Sequence, residues 1–432
     1  MKISNGGKLN IQKRPFPQWL TYFIFVMPFA FAFLQGFLGL PGLVKYTIDI
    51  AWILVTGLIF VRRKIIIDKK LIPFLVFVGV FIAYTFTIYI FNFQSVFYYL
   101  WGFRNNFRFY FAFIAFCMLF AEEDAEICFK LMDILFWINA VITFFQFFVL
   151  GYKWDYLGGI FGVEVGCNAC SIIFFSIVLS KSVLLYMDKK ESFFSCFSKC
   201  AVALVIAAMA ELKFFFVLFV IILLLSTILT SFTWQKFILV FVCVLLISFA
   251  GSLLTQLFGE GSSISIERLL ELTFAESYSS ADDLSRFSAV PTISNSIMTN
   301  NSQRLFGLGL GNCDTSSFAI CNTPFFQIYG DLHYSWFSSA FLFLETGYIG
   351  LTIYMAFFLM CFVFAWNMIA RKQANELYCR MAVIASILCI VLTFYNSSLR
   401  MEVAYIMYFV LALPLISSKT NIQYQRRLNV HK

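Results

Sequence analysis

Along this chain the apolar residues gather into runs of about 17 to 25, the length needed to cross a hydrocarbon core of about 30 Å. Short polar or basic stretches separate them. Runs fall at 18–38, 44–61, 71–91, 107–121, 127–150, 167–187, 200–213, 214–230, 237–255, 335–364, 381–397 and 402–417. A backbone in lipid must satisfy its own hydrogen bonds, and a continuous apolar run does so as a helix. The pattern therefore predicts an all-α polytopic membrane protein, a single domain over 1–432. About twelve transmembrane helices and one large external loop with short helices of its own are expected. No run is followed by a cleavage site, so no removable signal peptide is expected.

Composition agrees, with 61% hydrophobic, 20% aromatic and only 12% charged residues. The net charge of +8 reads as a topogenic excess, because cytoplasmic loops collect Lys and Arg. Lys2, Lys8, Lys13 and Arg14 put the N-terminus inside, and Lys419, Arg426, Arg427 and Lys432 do the same for the C-terminus. The orientation rule leaves nine basic residues unexplained: Lys45, Arg104, Arg108, Lys153, Lys213, Arg268, Arg286, Arg304 and Arg400. Counts from the two termini agree only if 200–230 crosses twice. That run is interrupted only by Glu211-Leu212-Lys213.

The expected map has cytoplasmic tails at 1–17 and 418–432, both polar enough to be disordered, and a large external loop at 256–334. Within that loop Ile266, Leu269, Leu270 and Phe274 recur at helical spacing, which predicts a helix lying in the interface. A second helix is expected from Ser285 to Met298, with Pro291 as a possible kink. Most of the twelve cysteines sit in spans as small hydrophobes. Cys313 and Cys321 share the external loop, where a disulfide and two unpaired thiols are both compatible with the sequence.

Several groups could carry chemistry. The stretch FGLGLGNCD, Phe306 to Asp314, has alternating glycines but neither the Lys-Ser/Thr of a phosphate loop nor a strand before it. It reads as a turn. Arg104 and Arg108 in WGFRNNFRFY are four apart and share a helix face. They are either snorkelling arginines in an aromatic belt or a clamp for phosphate oxygens. Glu211 and Lys213 interrupt an apolar run, which favours a helix break with Lys213 turned into a polar site, because residues two apart on a helix do not face each other. Arg400 and Glu402 either join that site or pair together. His333, at the junction of polar loop and apolar helix, is a candidate general base or hydroxyl anchor. Two histidines and scattered acids give no metal-ligand spacing, and nothing suggests a nucleic-acid partner.

In order along the chain, WGFRNNFRFY, GGIFGVEVGCN, AELKFFF, SRFSAV, LFGLGLGN, and His333 followed by LETGYIGL resemble the bacterial O-antigen and capsule polymerases (Wzy-type) and the related O-antigen ligases. The likeness covers 100–352, and the last block is its most specific part. Ligases commonly show Ser-Arg-Gly where this chain has Glu-Leu-Lys, a departure that leaves the role of Lys213 open. The resemblance implies an inner-membrane glycosyltransferase that uses neither metal nor nucleotide sugar. Its substrates are undecaprenyl-pyrophosphate-linked oligosaccharides that meet on the periplasmic face. Membrane lipid and a chain-length regulator protein are the other expected partners.

Carried over by motif, Arg286 and His333 are the expected catalytic pair, with Arg104, Arg108 and Lys213 on the pyrophosphate. Glu164, Asn168, Arg304 and Arg400 are expected sugar or phosphate contacts. Glu345 reads first as a helix-turn anchor in ETG. The glycine stretch is expected to be a flexible turn that brings the segment ending at His333 over the site. A ligase passing glycan to a lipid acceptor is the alternative within the resemblance. A lipid-linked oligosaccharide flippase is the alternative outside it, disfavoured by the lack of a visible repeat.

Overall fold

A computed structural model describes residues 14–61, 68–231, 233–259, 283–316 and 318–430. The protein is an all-α polytopic membrane protein, 80% helical, with no strand among the described residues. Among the described residues nine long helices precede the large loop: α1 (Phe16–Leu38), α2 (Tyr46–Val61), α3 (Ile72–Phe91), α4 (Val96–Leu119), α5 (Glu122–Phe148), α6 (Asn168–Met187), α7 (Phe193–Met209), α8 (Lys213–Leu229) and α9 (Trp234–Phe258). Among the described residues of the loop there are three short ones, α10 (Ala289–Ser296), α11 (Asn301–Phe306) and α12 (Pro324–Tyr329). Three long ones close the chain: α13 (Ser338–Ala370), α14 (Glu376–Tyr395) and α15 (Ala404–Val430).

Among the described residues seven helices are long and apolar enough to cross a membrane, and four more contain shorter apolar stretches. The remaining long helix, α4, carries Arg104, Asn105, Asn106 and Arg108 and is too polar to qualify by composition. It begins at Val96 rather than at 107, the start expected from hydropathy. Arg104 and Arg108 therefore lie about 12 Å and about 18 Å into the helix, not at its mouth.

Contacts sort the helix ends into two sets. At one end Gln18 and Tyr22 bond to Asp124, Asn375 to Glu122 and Arg380 to Asp188. At the other, Gln35 meets Glu164, Arg104 meets Asp49, and Ser338 bonds to the Asn396 carbonyl. The run 200–230 doubles back between these ends. Lys199 pairs with Asp133 and Glu191 at the first end, the Ala210 carbonyl accepts from Asn168 at the second, and Thr230 returns to Met187 at the first.

Phenylalanine and tyrosine fill the space between helices. Phe357 of α13 packs edge-on against Tyr110 and Phe113 of α4 and stacks on Tyr408 of α15. Such pairs contribute about 0.5–1.5 kcal/mol each beyond the area they bury, so the aromatic content fixes helix positions as well as burying surface.

Two expectations need correction. The last helix runs on to Val430, so 418–430 continue α15 instead of forming a disordered tail. The helix expected over 285–298 shortens to Ala289–Ser296, with Pro291 in its first turn, where the missing N–H costs nothing. The interfacial helix expected around Ile266–Phe274 lies outside the described residues, as do Arg268 and residues 1–13.

Candidate functional site

The second end of the bundle is organised by a break inside α13. Gly347 takes φ +64° and ψ −171°, which interrupts the helix and strips partners from the carbonyls before it. The glycine turn supplies them. Leu308 N–H donates to the Leu344 carbonyl at 2.8 Å and Gly309 N–H to the Glu345 carbonyl at 3.0 Å, while Tyr84 OH donates to the Thr346 carbonyl at 2.8 Å. The Glu345 side chain, fully buried, accepts from Gly311 N–H at 2.7 Å and from Asn106 Nδ2 at 3.3 Å. Gln94 Nε2 donates to the Leu310 carbonyl at 2.7 Å. The stretch expected to be a flexible turn is thus a clamped one. A Cβ on Gly311 would sit 1.8 Å from the Tyr98 carbonyl oxygen, so only glycine allows the approach.

A similar device holds the other glycine-rich segment. Gln146 of α5 accepts from Gly159 N–H at 2.8 Å and donates to its carbonyl at 3.0 Å, and Asn139 accepts from Ile160 N–H at 2.9 Å. Both loops are fixed by buried side chains reaching backbone groups that lipid could not satisfy.

Above these anchors runs a charged network. Arg104 reaches Asp49 of α2 at 2.7 Å and donates to Asn105 at 2.6 Å. Asn105 donates to Asp314 at 2.6 Å, and Asp314 stands 3.7 Å from Arg400. Arg108, whose side chain is 3% exposed, pairs with Glu402 at 2.9 Å and donates to the Arg400 carbonyl at 2.8 Å. Arg400 and Glu402 therefore do not pair with each other. Arg104 and Arg108 do not snorkel either, because each is held among aromatic rings against its own carboxylate.

The helix break between α7 and α8 is present, with Glu211 in the left-handed region at φ +54°. Its geometry overturns one inference from spacing. Once the helix is broken, residues two apart can meet, and Lys213 Nζ lies 3.2 Å from Glu211 Oε1. Asn168, at the start of α6, donates to Asp155 at 3.0 Å and to the Ala210 carbonyl at 3.3 Å, tying the break to the preceding loop. Phe214 stacks face to face on Tyr395 at 3.8 Å, and the Arg286 guanidinium lies over Tyr395 at 4.3 Å. A column from Arg286 through Tyr395 to Phe214 thus joins the loop to the break.

His333 also has φ in the left-handed region, +53°. Its Nδ1 lies 2.7 Å from Asp283 Oδ1, and its ring stacks on Trp336 at 4.1 Å. Asp283 is buried, whereas the His333 side chain is 42% exposed. Leu284 N–H donates to the Leu332 carbonyl, so the segment carrying Arg286 is tied to the one carrying His333. Arg304, in the last turn of α11, has a buried Nε with no hydrogen-bond partner among the described residues.

A cavity of about 190 Å³ opens between α1, the loop before α2, the glycine-rich segment and the turn before α15, with Glu164 and Glu402 in its wall. Cys313 and Cys321 are both free and buried. Burial, and then the Glu345 charge, pushes the Cys313 thiol well up. Among the described residues no three His, Cys, Asp or Glu side chains converge as a metal site.

The structure thus brings Arg104, Arg108 and Arg400 into one network, and Arg286, Lys213 and Asn168 around the α7–α8 break. Sequence reasoning missed four carboxylates that organise them: Asp49, Asp155, Asp283 and Asp314. Asp49 had a signal, an acid inside an apolar run, which is costly without a partner. Asp283 had none, lying fifty residues before its histidine. Neither a protein-family model nor a curated protein matches this chain.

Proposed function

We propose that the protein is a polysaccharide repeat-unit polymerase, an inner-membrane glycosyltransferase joining undecaprenyl-pyrophosphate-linked oligosaccharides. The reaction is assigned to the end of the bundle that carries the charged network, taken as periplasmic. The observation that carries the reading is the pairing of His333 with a buried carboxylate on the segment that also bears Arg286. With Nδ1 engaged by Asp283, the other ring nitrogen, Nε2, is the one left to take a proton.

In this reading an acceptor hydroxyl attacks the anomeric carbon of the donor sugar. Its proton passes to His333 Nε2 as the new C–O bond forms. The bond to pyrophosphate breaks and the electron pair leaves with it, so negative charge builds where a preorganised cation is most effective. Arg286, held over the Tyr395 ring, is assigned to that charge.

Arg104 and Arg108 are already neutralised by Asp49 and Glu402. Contact with pyrophosphate would require them to exchange those partners, so they support this reading as the wall of the site more than as its phosphate clamp. The experiment is to express Arg286→Ala and His333→Ala at normal abundance in cells that depend on this protein. Both should lose long polysaccharide chains. Undiminished chains from either would refute its assignment.

A further inference from the structure

The cavity beside the charged network has a lining that fits one kind of occupant. Three ionic groups face it: Lys45 from the loop before α2, Glu164 from the glycine-rich segment and Glu402 from the turn before α15. Gln35 of α1 joins them, and Phe31 and Phe161 supply apolar wall.

The polar valences are only half used within the protein. Glu164 Oε1 accepts from Gln35 Nε2, and Glu402 Oε1 is held by Arg108. Among the described residues neither carboxylate's second oxygen has a hydrogen bond, and Lys45 Nζ, 5.4 Å from the centre of the Tyr46 ring, makes no hydrogen bond or ion pair while its charge still acts on Glu402. The wall thus presents acceptors from two sides and an ammonium donor from a third.

A phosphate or pyrophosphate dianion is a poor guest there, since two carboxylates would face it across a space of about 190 Å³. An apolar chain is a poor guest too, because it would strip water from three charges without replacing those hydrogen bonds. A ring bearing several hydroxyls satisfies every group. Its O–H groups donate to Glu164 and Glu402, its oxygens accept from Lys45, and its C–H face lies against Phe31 or Phe161.

We propose that this cavity is a sugar subsite that holds one neutral, hydroxylated residue of the glycan through Glu164, Glu402 and Lys45. That the sugar belongs to a lipid-linked glycan rests on the polymerase reading; that the cavity takes a neutral sugar rests on its lining alone. Cys167 of its wall precedes Asn168, which donates to the Ala210 carbonyl at the α7–α8 break, so the subsite lies at the same end of the bundle as that break.

The test uses the full protein in lipid nanodiscs. The probe is the glycan released by mild acid from the lipid carriers of the cell that makes the protein, with binding read by saturation-transfer NMR. Wild-type protein should bind it. Glu164→Ala and Lys45→Ala should each weaken binding by about tenfold or more, as expected for losing a hydrogen bond to a charged group. Glu164→Gln, which keeps the side chain's shape, should fall between, and this guards against a folding defect. Arg286→Ala, expected to stop polymerisation, should bind the glycan as wild type does.

Wild-type binding that both alanine variants retain would overturn the subsite. So would displacement of the glycan by inorganic pyrophosphate in wild type alone, which would mark an anion pocket. No glycan binding, in a preparation that still extends intact lipid-linked units, would refute the subsite and leave the polymerase reading standing. Binding without extension would do the reverse.

Discussion

Arg108 shows what a single residue contributes here. A guanidinium 3% exposed inside a helix survives only because Glu402 and the Arg400 carbonyl meet it. Removing one partner of such a pair leaves an uncompensated charge. Because Glu402 keeps some access to the cavity, Arg108→Met should cost about 2–4 kcal/mol, somewhat below the cost for a fully enclosed pair. Adding Glu402→Met should restore more than half of it, as read by thermal unfolding in nanodiscs. A double variant no more stable than the single one would show that the pair is not coupled.

His333 makes the matching case for chemistry. Asp283→Asn keeps the shape but loses the charge that steadies a protonated ring, and should lower the turnover rate about 10- to 100-fold with little change in KM. Asp283→Glu should recover part of the rate. Unchanged turnover in Asp283→Asn would remove Asp283 from the mechanism. Both basic residues could be singled out from the sequence because each violates a pattern: a charge within apolar residues, a lone imidazole at a loop end. Their partners could not be, because pairing across fifty or three hundred positions is decided by packing. Glu402 is visible in the sequence beside Arg400, but its partner, Arg108, lies on α4.

Among the elements, the broken helix α13 and the glycine turn depend on each other. Freed carbonyls at Leu344 and Glu345 need donors, and the turn needs a surface that admits backbone at glycine-only distance. Gly311→Ala combines a left-handed φ of +82° with a Cβ 1.8 Å from the Tyr98 carbonyl oxygen. Little of this protein should fold, or it should melt several degrees lower. Gly79→Ala, in α3 with nothing within 4 Å of its Cβ, is the control and should extract as wild type does. Equal behaviour of the two would mean that the turn is not clamped.

The ETG and LGLG spacings were legible as a pair of features near each other in the chain. Their interlock was not, because an even spacing of glycines signals tight backbone without saying what lies against it. The break at Glu211 was legible from the cost of charge in an apolar run. The ion pair across it was not, since the i, i+2 rule that excluded it holds only within an unbroken helix.

At the scale of the whole molecule, apolar periodicity predicted the order of the long helices well, because lipid leaves a spanning chain few alternatives to a helix. It failed for the start of α4, where the helix begins at Val96, well before the apolar run expected from 107. Arg104, Asn105 and Asn106 there bond to protein partners within the bundle. The same failure marks the candidate site, since the segment least suited to lipid carries the network that the other helices enclose.

The central claim is chemical, and one measurement meets it directly. Purified protein in nanodiscs is incubated with an undecaprenyl-pyrophosphate-linked repeat unit, and the products are separated by size. The account predicts a ladder of chains growing by whole repeat units from wild-type protein and none from His333→Ala or Arg286→Ala. Repeat units that stay single with wild-type protein, or a ladder that persists in either variant, would contradict it.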